Sequence, residues 1–281
     1  MGPGGDAAPV DFVVIGAMKA MTTSLLGTLG SHPGIATSRH KETSFFVAET
    51  GWWRGRDWYL SEFAHAEPGQ LRGEASPQYT FFPVFAGVPE RMAACAPDVR
   101  LVYLVREPVA RAVSQWRHAS ARGEEQRPMA EALLVDARYQ GPSRYWLQLV
   151  QYFRCFSEEQ LLVVDADRLR REPADVLREV VAHIGADPAQ APTELLHLNG
   201  AEGRRQARPL VARALRNPTG QRVVRHVRRN HQRVWDRWMT SPAPAPEELA
   251  PDMAQRLRDV FADDSAALGR HLGSTAPEWA R

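Results

Sequence analysis

Residues 11–24, DFVVIGAMKAMTTS, restrict the fold more than any other stretch of the chain. An apolar, β-branched run (Phe12, Val13, Val14, Ile15) breaks at Gly16 and passes through a short loop into a helix-permissive segment that starts at Thr22. A strand, a tight loop and a helix start in that order aim unpaired backbone N–H groups and the positive end of a helix dipole at one spot. With the ammonium of Lys19 in the same loop, that spot suits a phosphate or sulfate group. The spacing is not that of a nucleotide-triphosphate loop. The Walker pattern needs Gly-x4-Gly-Lys-Ser/Thr, whereas Lys19 follows Gly16 by three residues and precedes Ala20-Met21-Thr22-Thr23-Ser24.

The remaining chain supplies partners for such a strand. Periodicity and breakers predict a helix over 22–31, ended by His32-Pro33-Gly34, and a short helix over 57–63. A brief strand at 72–77 and a helix at 88–95 follow. VRLVYLV at 99–105 is the second strong strand, and Pro108 then opens a helix to about residue 121. Helices at 129–137 and 144–156, a strand QLLVV at 160–164, a helix at 174–184 and a last amphipathic helix at 247–268 complete the pattern. Strands separated by helices argue for a parallel sheet covered on both faces, with ligands at the carboxyl ends of the strands. Lys19 and Arg106 both fall just past such ends, so the topology allows them to converge. Residues 1–10 are expected to be a disordered start and 11–281 a single domain with a helical C-terminal part, reached through a Pro/Ala linker at 242–246.

Composition narrows the function classes. The formal net charge is only +2, and of 35 basic residues only Lys19 and Lys41 are lysine. Arginine presents a broad fork and lysine a compact point charge, so the two exceptions mark places where the fork does not fit. Cys95 and Cys155 form no metal or redox spacing and read as two buried thiols. No stretch approaches the length of a membrane span, and no secretory leader is evident, so a soluble cytoplasmic protein without a metal is expected.

Three groups carry chemistry. The loop at 16–24 adds the hydroxyls of Thr22, Thr23 and Ser24 to its backbone donors, with Lys19 to neutralise an anion. Arg106 at a strand end, with Ser114 eight residues further on, makes a second anion site. Lys41-Glu42 runs into Phe45-Phe46, and a carboxylate desolvated by those rings suits a general base. Each alone has a plainer reading: a βα turn with a surface lysine, a solvated arginine, a surface ion pair.

In order and spacing, GAMKAMTTSL, KETSFF, GEASPQY and LVREPVARAVSQW resemble the sulfotransferases that use 3′-phosphoadenosine 5′-phosphosulfate (PAPS), most of all the heparan-sulfate-type branch and its bacterial relatives. The similarity runs from about residue 11 to 185, with a weaker echo at Leu268, Leu272 and Trp279. It implies an α/β fold with a P-loop-like central parallel sheet flanked by helices on both faces. It also implies a PAPS-dependent O-sulfotransferase. Lys19, Ala20, Met21, Thr22, Thr23 and Ser24 would then hold the 5′-phosphosulfate, with Lys19 on the bridging oxygen. Arg106 and Ser114 would bind the 3′-phosphate, Gly203 and Arg204 would belong to a basic loop closing over it, and Glu42 would be the general base. Lys41, Phe46, Trp53, Glu74 and Tyr79 would face the acceptor, and Trp52, Trp58, Phe81, Phe82 and Phe85 offer further ring surface.

Two departures stand out. Met21 takes a place where the family commonly has glycine or a small residue, and Ala75 one where heparan-sulfate enzymes often carry a second lysine. The implied acceptor is a hydroxyl of a small molecule, a natural product or a glycan. The Arg-, Ala- and Pro-rich composition is similar to that of GC-rich bacteria, whose relatives decorate secondary metabolites or glycolipids. Two other classes compete. One is a nucleotide-triphosphate-dependent kinase with Asp165 on magnesium, which lacks its Walker loop. The other is a nucleic-acid binder built on the Arg-dense residues 204–237, which the near-balanced charge disfavours.

Overall fold

The structure, a computed structural model, describes residues 9–196, 205–207, 240–242 and 248–281. The first strand, β1 (Phe12–Gly16), is buried at every residue and lies in the middle of a five-stranded sheet. Strand β2 (Ile35–Thr37) is at one edge, followed by β3 (Leu71–Ala75), β1, β4 (Arg100–Val105) and β5 (Leu161–Asp165) at the other. The four pairings in this sheet are all parallel. Parallel strands covered on both faces read as continuous apolar runs, which is why β1 and β4 are visible in the sequence.

Helix α1 (Thr22–Leu29) packs on β1, β2 and β3, and α2 (Gly55–Ser61) and α3 (Val88–Cys95) follow in the chain. Helix α4 (Pro108–Ala121) begins at the expected proline, and the Glu107 carboxylate caps it by accepting from Val109 N at 3.1 Å and Ala110 N at 2.6 Å. The single helix expected at 129–137 is two, α5 (Met129–Val135) and α6 (Ala137–Gln140). Asp136 divides them: its backbone is extended, its carboxylate caps Arg138 N at 2.9 Å, and Arg127 and Arg138 both hold it. Helix α7 (Tyr145–Tyr152) is shorter than the 144–156 expected. Helix α8 (Ala166–Arg171), which the periodicity does not signal, precedes α9 (Pro173–His183), and both pack on β5.

The last helix, α10 (Pro251–Leu272), starts at its proline rather than at residue 247 and packs against α4, α5 and α7. Its Asp264 accepts from the N–H groups of Trp146 and Leu147, each at 2.9 Å, and so caps α7 from a distance. Strands β6 (Arg205–Ala207) and β7 (Thr240–Pro242) form an antiparallel pair, and β6 lies against α4. Residues 1–8, the Arg-dense 208–239 and most of the expected linker lie outside the described residues. Among the described residues no helix is long and apolar enough to cross a membrane.

Gly73 decides how β1 and β3 meet. It pairs with Phe12, and a Cβ there would fall 1.9 Å from Phe12 Cζ, inside the ring's own volume. Phe12 is completely buried, so it has nowhere to move. Gly73→Ala is therefore expected to cost about 2–3 kcal/mol through overpacking. In a chain of this size that lowers Tm by roughly 5–10 °C, and a thermal melt that leaves Tm unchanged would contradict this packing.

Candidate functional site

The loop after β1 ends at Met21, the residue that precedes α1. Lys19 (φ 70°) and Met21 (φ 72°) are both left-handed, a conformation costly for residues with a Cβ. The turn is narrow for that reason, and it explains physically why glycine suits position 21. Met21 brings no side-chain cap to the start of α1. Thr22 and Ser24 are nearly buried, Thr23 and Lys19 half-buried. Ala20 is a correction: it is buried, and its N–H goes to Ala17 O at 3.0 Å, so it offers no donor to an anion. The Met21 side chain packs against the core, its Sδ 3.6 Å from Arg170 Nη2. Met21→Gly is expected to relieve the left-handed strain and raise stability by about 1 kcal/mol, less what the lost packing removes. A Tm at least as high as wild type in a melt checks this; a large drop would mean that Met21 acts mainly through packing.

Arg106 follows β4, the strand beside β1. Its Nη1 lies 3.4 Å from Lys19 O, so the two strand-end groups do meet. Tyr145 fixes the Arg106 backbone from both sides: its hydroxyl donates to Arg106 O at 2.6 Å and accepts from Arg106 N at 3.2 Å. The Arg106 side chain is therefore placed by its backbone and stays half-buried. Ser114, half-buried, stands two turns into α4 on the face it shares with Ala110 and Glu107. Gly203 and Arg204 lie outside the described residues.

Sequence reasoning passed over Arg111. It is completely buried, and Nε reaches Ser143 Oγ at 2.6 Å, Nη1 reaches Gln115 Oε1 at 2.6 Å and Met18 O at 3.4 Å, and Nη2 reaches Tyr139 O at 2.6 Å. Burial pulls its guanidinium down to about 10. The contact to Met18 ties α4 to the loop that carries Lys19. Its one sequence signal is an arginine among Val109, Ala112 and Trp116 on the buried face of α4.

Glu42 follows Lys41 at the surface. It is a surface residue with about a third of its side chain exposed, 3.6 Å from the Lys41 ammonium, while Phe45 and Phe46 turn inward and are buried. Two buried carboxylates bracket its segment. On the N-terminal side Glu62 accepts from His40 N at 2.8 Å and pairs with His40 Nδ1 at 2.7 Å. On the C-terminal side stands Glu74, at the end of β3.

Of the expected acceptor-facing residues, Lys41 and Trp53 are exposed, and Trp53 shares the Arg54 guanidinium with Trp58. Phe46 and Glu74 are completely buried, which corrects the expectation that they touch an acceptor: the ring packs inside and the carboxylate is enclosed by hydroxyls. Tyr79 gives its hydroxyl to Glu74 and also lines a cavity of about 380 Å³, with Phe82, Phe85, Leu147, Tyr152 and Arg154. Asp165, the magnesium ligand of the kinase reading, is the N-cap of α8, accepting from Asp167 N at 3.0 Å.

The sequence matches the sulfotransferase domain family over residues 9–269. Heparan sulfate glucosamine 3-O-sulfotransferase 5 of Homo sapiens is 30% identical over 189 residues, 63% of this chain and 53% of that protein. The bifunctional heparan sulfate N-deacetylase/N-sulfotransferase of Drosophila melanogaster is 27% identical over 208 residues, 63% of this chain and 20% of that protein. The chain thus spans about half or less of the length of these curated relatives. In fold it is similar to a crystallised sulfotransferase from Alicyclobacillus acidocaldarius, with a TM-score of 0.70 at 22% identity over 98% of this chain and 100% of that one. A mouse sulfotransferase complexed with PAP gives a TM-score of 0.52 at 13% identity, over 95% of this chain and 88% of that one.

Proposed function

The chain belongs to the sulfotransferase domain family, and from that premise we propose that it transfers a sulfuryl group from PAPS to an acceptor hydroxyl. The observation that carries this reading is the meeting of two cationic strand ends. The loop with Lys19 opens onto the uncapped start of α1, and Arg106 reaches within 3.4 Å of the Lys19 carbonyl from the next strand. A nucleotide with one anion at its 5′ end and another at its 3′ position suits two such anchors. Lys19 with Thr22, Thr23 and Ser24 is assigned to the phosphosulfate, and Arg106 with Ser114 to the 3′-phosphate.

Each residue then has one task. Glu42 takes the proton as the acceptor oxygen bonds to sulfur. The bond from sulfur to the bridging oxygen breaks in line, and Lys19 stabilises the charge left on 3′-phosphoadenosine 5′-phosphate (PAP). A surface carboxylate with about a third of its side chain exposed fits this role, since the acceptor itself removes the remaining water when it docks. The exposed ring of Trp53 and the Lys41 ammonium give the acceptor a stacking surface and a cation.

The test is release of PAP from PAPS in the presence of a phenol, a hydroxylated polyketide or steroid, and a heparan-type or neutral glycan. Release that depends on one of these acceptors supports the reading and names the acceptor class. No release with any of them, nor with water, contradicts it.

A further inference from the structure

Glu74 has no role in the chemistry above, yet three hydroxyls converge on it inside the protein. Ser76 Oγ donates to Oε2 at 2.6 Å, and Tyr79 and Tyr59 donate to Oε1 at 2.5 and 3.1 Å. A hydroxyl has a single proton. Once Ser76 and Tyr79 have given theirs to the carboxylate, both oxygens can only accept from their other neighbours. Ser76 Oγ accepts from Ser44 N at 2.9 Å. The Tyr79 oxygen lies 3.2 Å from Thr43 Oγ1 and 3.4 Å from Phe46 N, and Thr43 Oγ1 in turn accepts from Phe45 N at 3.2 Å. The third donor, Tyr59, stacks on Phe45 with centroids 4.2 Å apart and planes 5° from parallel.

All three donors therefore bear on residues 43–46, the four that follow Glu42. Ser44 holds a left-handed φ of 47°, a conformation that its surroundings must maintain. Glu42 is exposed, and Lys41, exposed as well, does not lock it, so the direction of its carboxylate depends on the backbone behind it.

We propose that Glu74 is a positioning residue for sulfuryl transfer: acting through Ser76 and Tyr79, it locks residues 43–46 and so aims the Glu42 carboxylate at the acceptor hydroxyl. This rests on the reading of Glu42 as the base. It gives a use to a carboxylate whose pKa burial raises, a push the hydroxyls oppose. An ionised carboxylate only accepts, so it fixes the direction of every proton around it. A protonated one must donate to one of these hydroxyls, whose own proton then has to turn away from the carboxylate, and the set of donor directions around residues 43–46 is no longer fixed.

The test compares Ser76→Ala, Ser76→Thr, Tyr79→Phe and Glu42→Gln, using PAPS with the best acceptor of the panel above, or water if none is taken. Ser76→Ala keeps Glu74 but cuts its link to Ser44. It is expected to lower kcat by about tenfold to a hundredfold, in line with a sub-ångström to ångström misplacement of a reacting group. Affinity for PAP is expected to stay unchanged, since Lys19 and Arg106 follow other strands, β1 and β4, and the Ser44 amide is expected to exchange hydrogen faster. Ser76→Thr keeps the hydroxyl and is expected to restore most of kcat. Tyr79→Phe, which keeps the ring, reads the second link and serves if Ser76→Ala does not fold. Wild-type kcat in Ser76→Ala and Tyr79→Phe, with turnover lost in Glu42→Gln, overturns the proposal and leaves the base assignment standing. Losses of kcat, PAP affinity and Tm in parallel also overturn it, because they mark a merely structural role. Wild-type turnover in Glu42→Gln removes the premise instead.

Discussion

Glu42→Gln is expected to lower turnover by roughly 10²- to 10⁴-fold, the range in which a positioned general base contributes, and to leave PAP affinity unchanged. The amide keeps the size and shape of the carboxylate, and the side chain, about a third of it exposed, stands at the surface, so packing and folding are expected to stay as they are. What is lost is the acceptor for the proton. The drop should appear in kcat and kcat/KM together, because the interaction is made only as the acceptor oxygen bonds to sulfur. Loss of nucleotide binding in this variant would place Glu42 in the donor site and contradict the assignment.

Arg106→Ala is expected to weaken PAP by about 2–3 kcal/mol, roughly 30- to 150-fold, the cost of a charge-assisted contact to phosphate. Adenosine diphosphate lacks the 3′-phosphate, so its affinity should stay nearly the same in wild type and variant. That difference separates a local phosphate contact from general damage. The backbone at 106 is held by the Tyr145 hydroxyl, not by the arginine's own side chain, so Tm should not fall with it. Equal losses for both nucleotides, measured by titration calorimetry, would show that Arg106 reads net negative charge and not the 3′ position.

The parts of this protein legible in its sequence are those with a local cause. β1, β4 and β5 announce themselves as apolar runs, and α4 is bounded by Glu107 and Pro108. β2 has only three residues and exists by pairing with β3, which no local pattern reveals. α8 is six residues, three of them arginine, and its cap, Asp165, also closes a strand. At the site, Lys19, Glu42 and Arg106 stand out as charged residues near the ends of structured runs. Adjacency in sequence misled where it was taken for adjacency in space. Phe45 and Phe46 follow Glu42 closely but turn inward, and the desolvated carboxylate is Glu74, whose hydroxyl partners come from positions 59, 76 and 79. Arg111 was hidden differently, as one arginine in a chain whose 35 basic residues include only two lysines.

In the proposed reading, two strand-end cations, Lys19 and Arg106, form a donor site for a nucleotide phosphorylated at both ends of its ribose. Titration calorimetry of the wild-type chain with PAP, adenosine diphosphate and Mg·ATP tests it most directly. PAP is expected to bind in the micromolar range without added metal, and adenosine diphosphate markedly more weakly. No binding of PAP, or a preference for Mg·ATP, would contradict it.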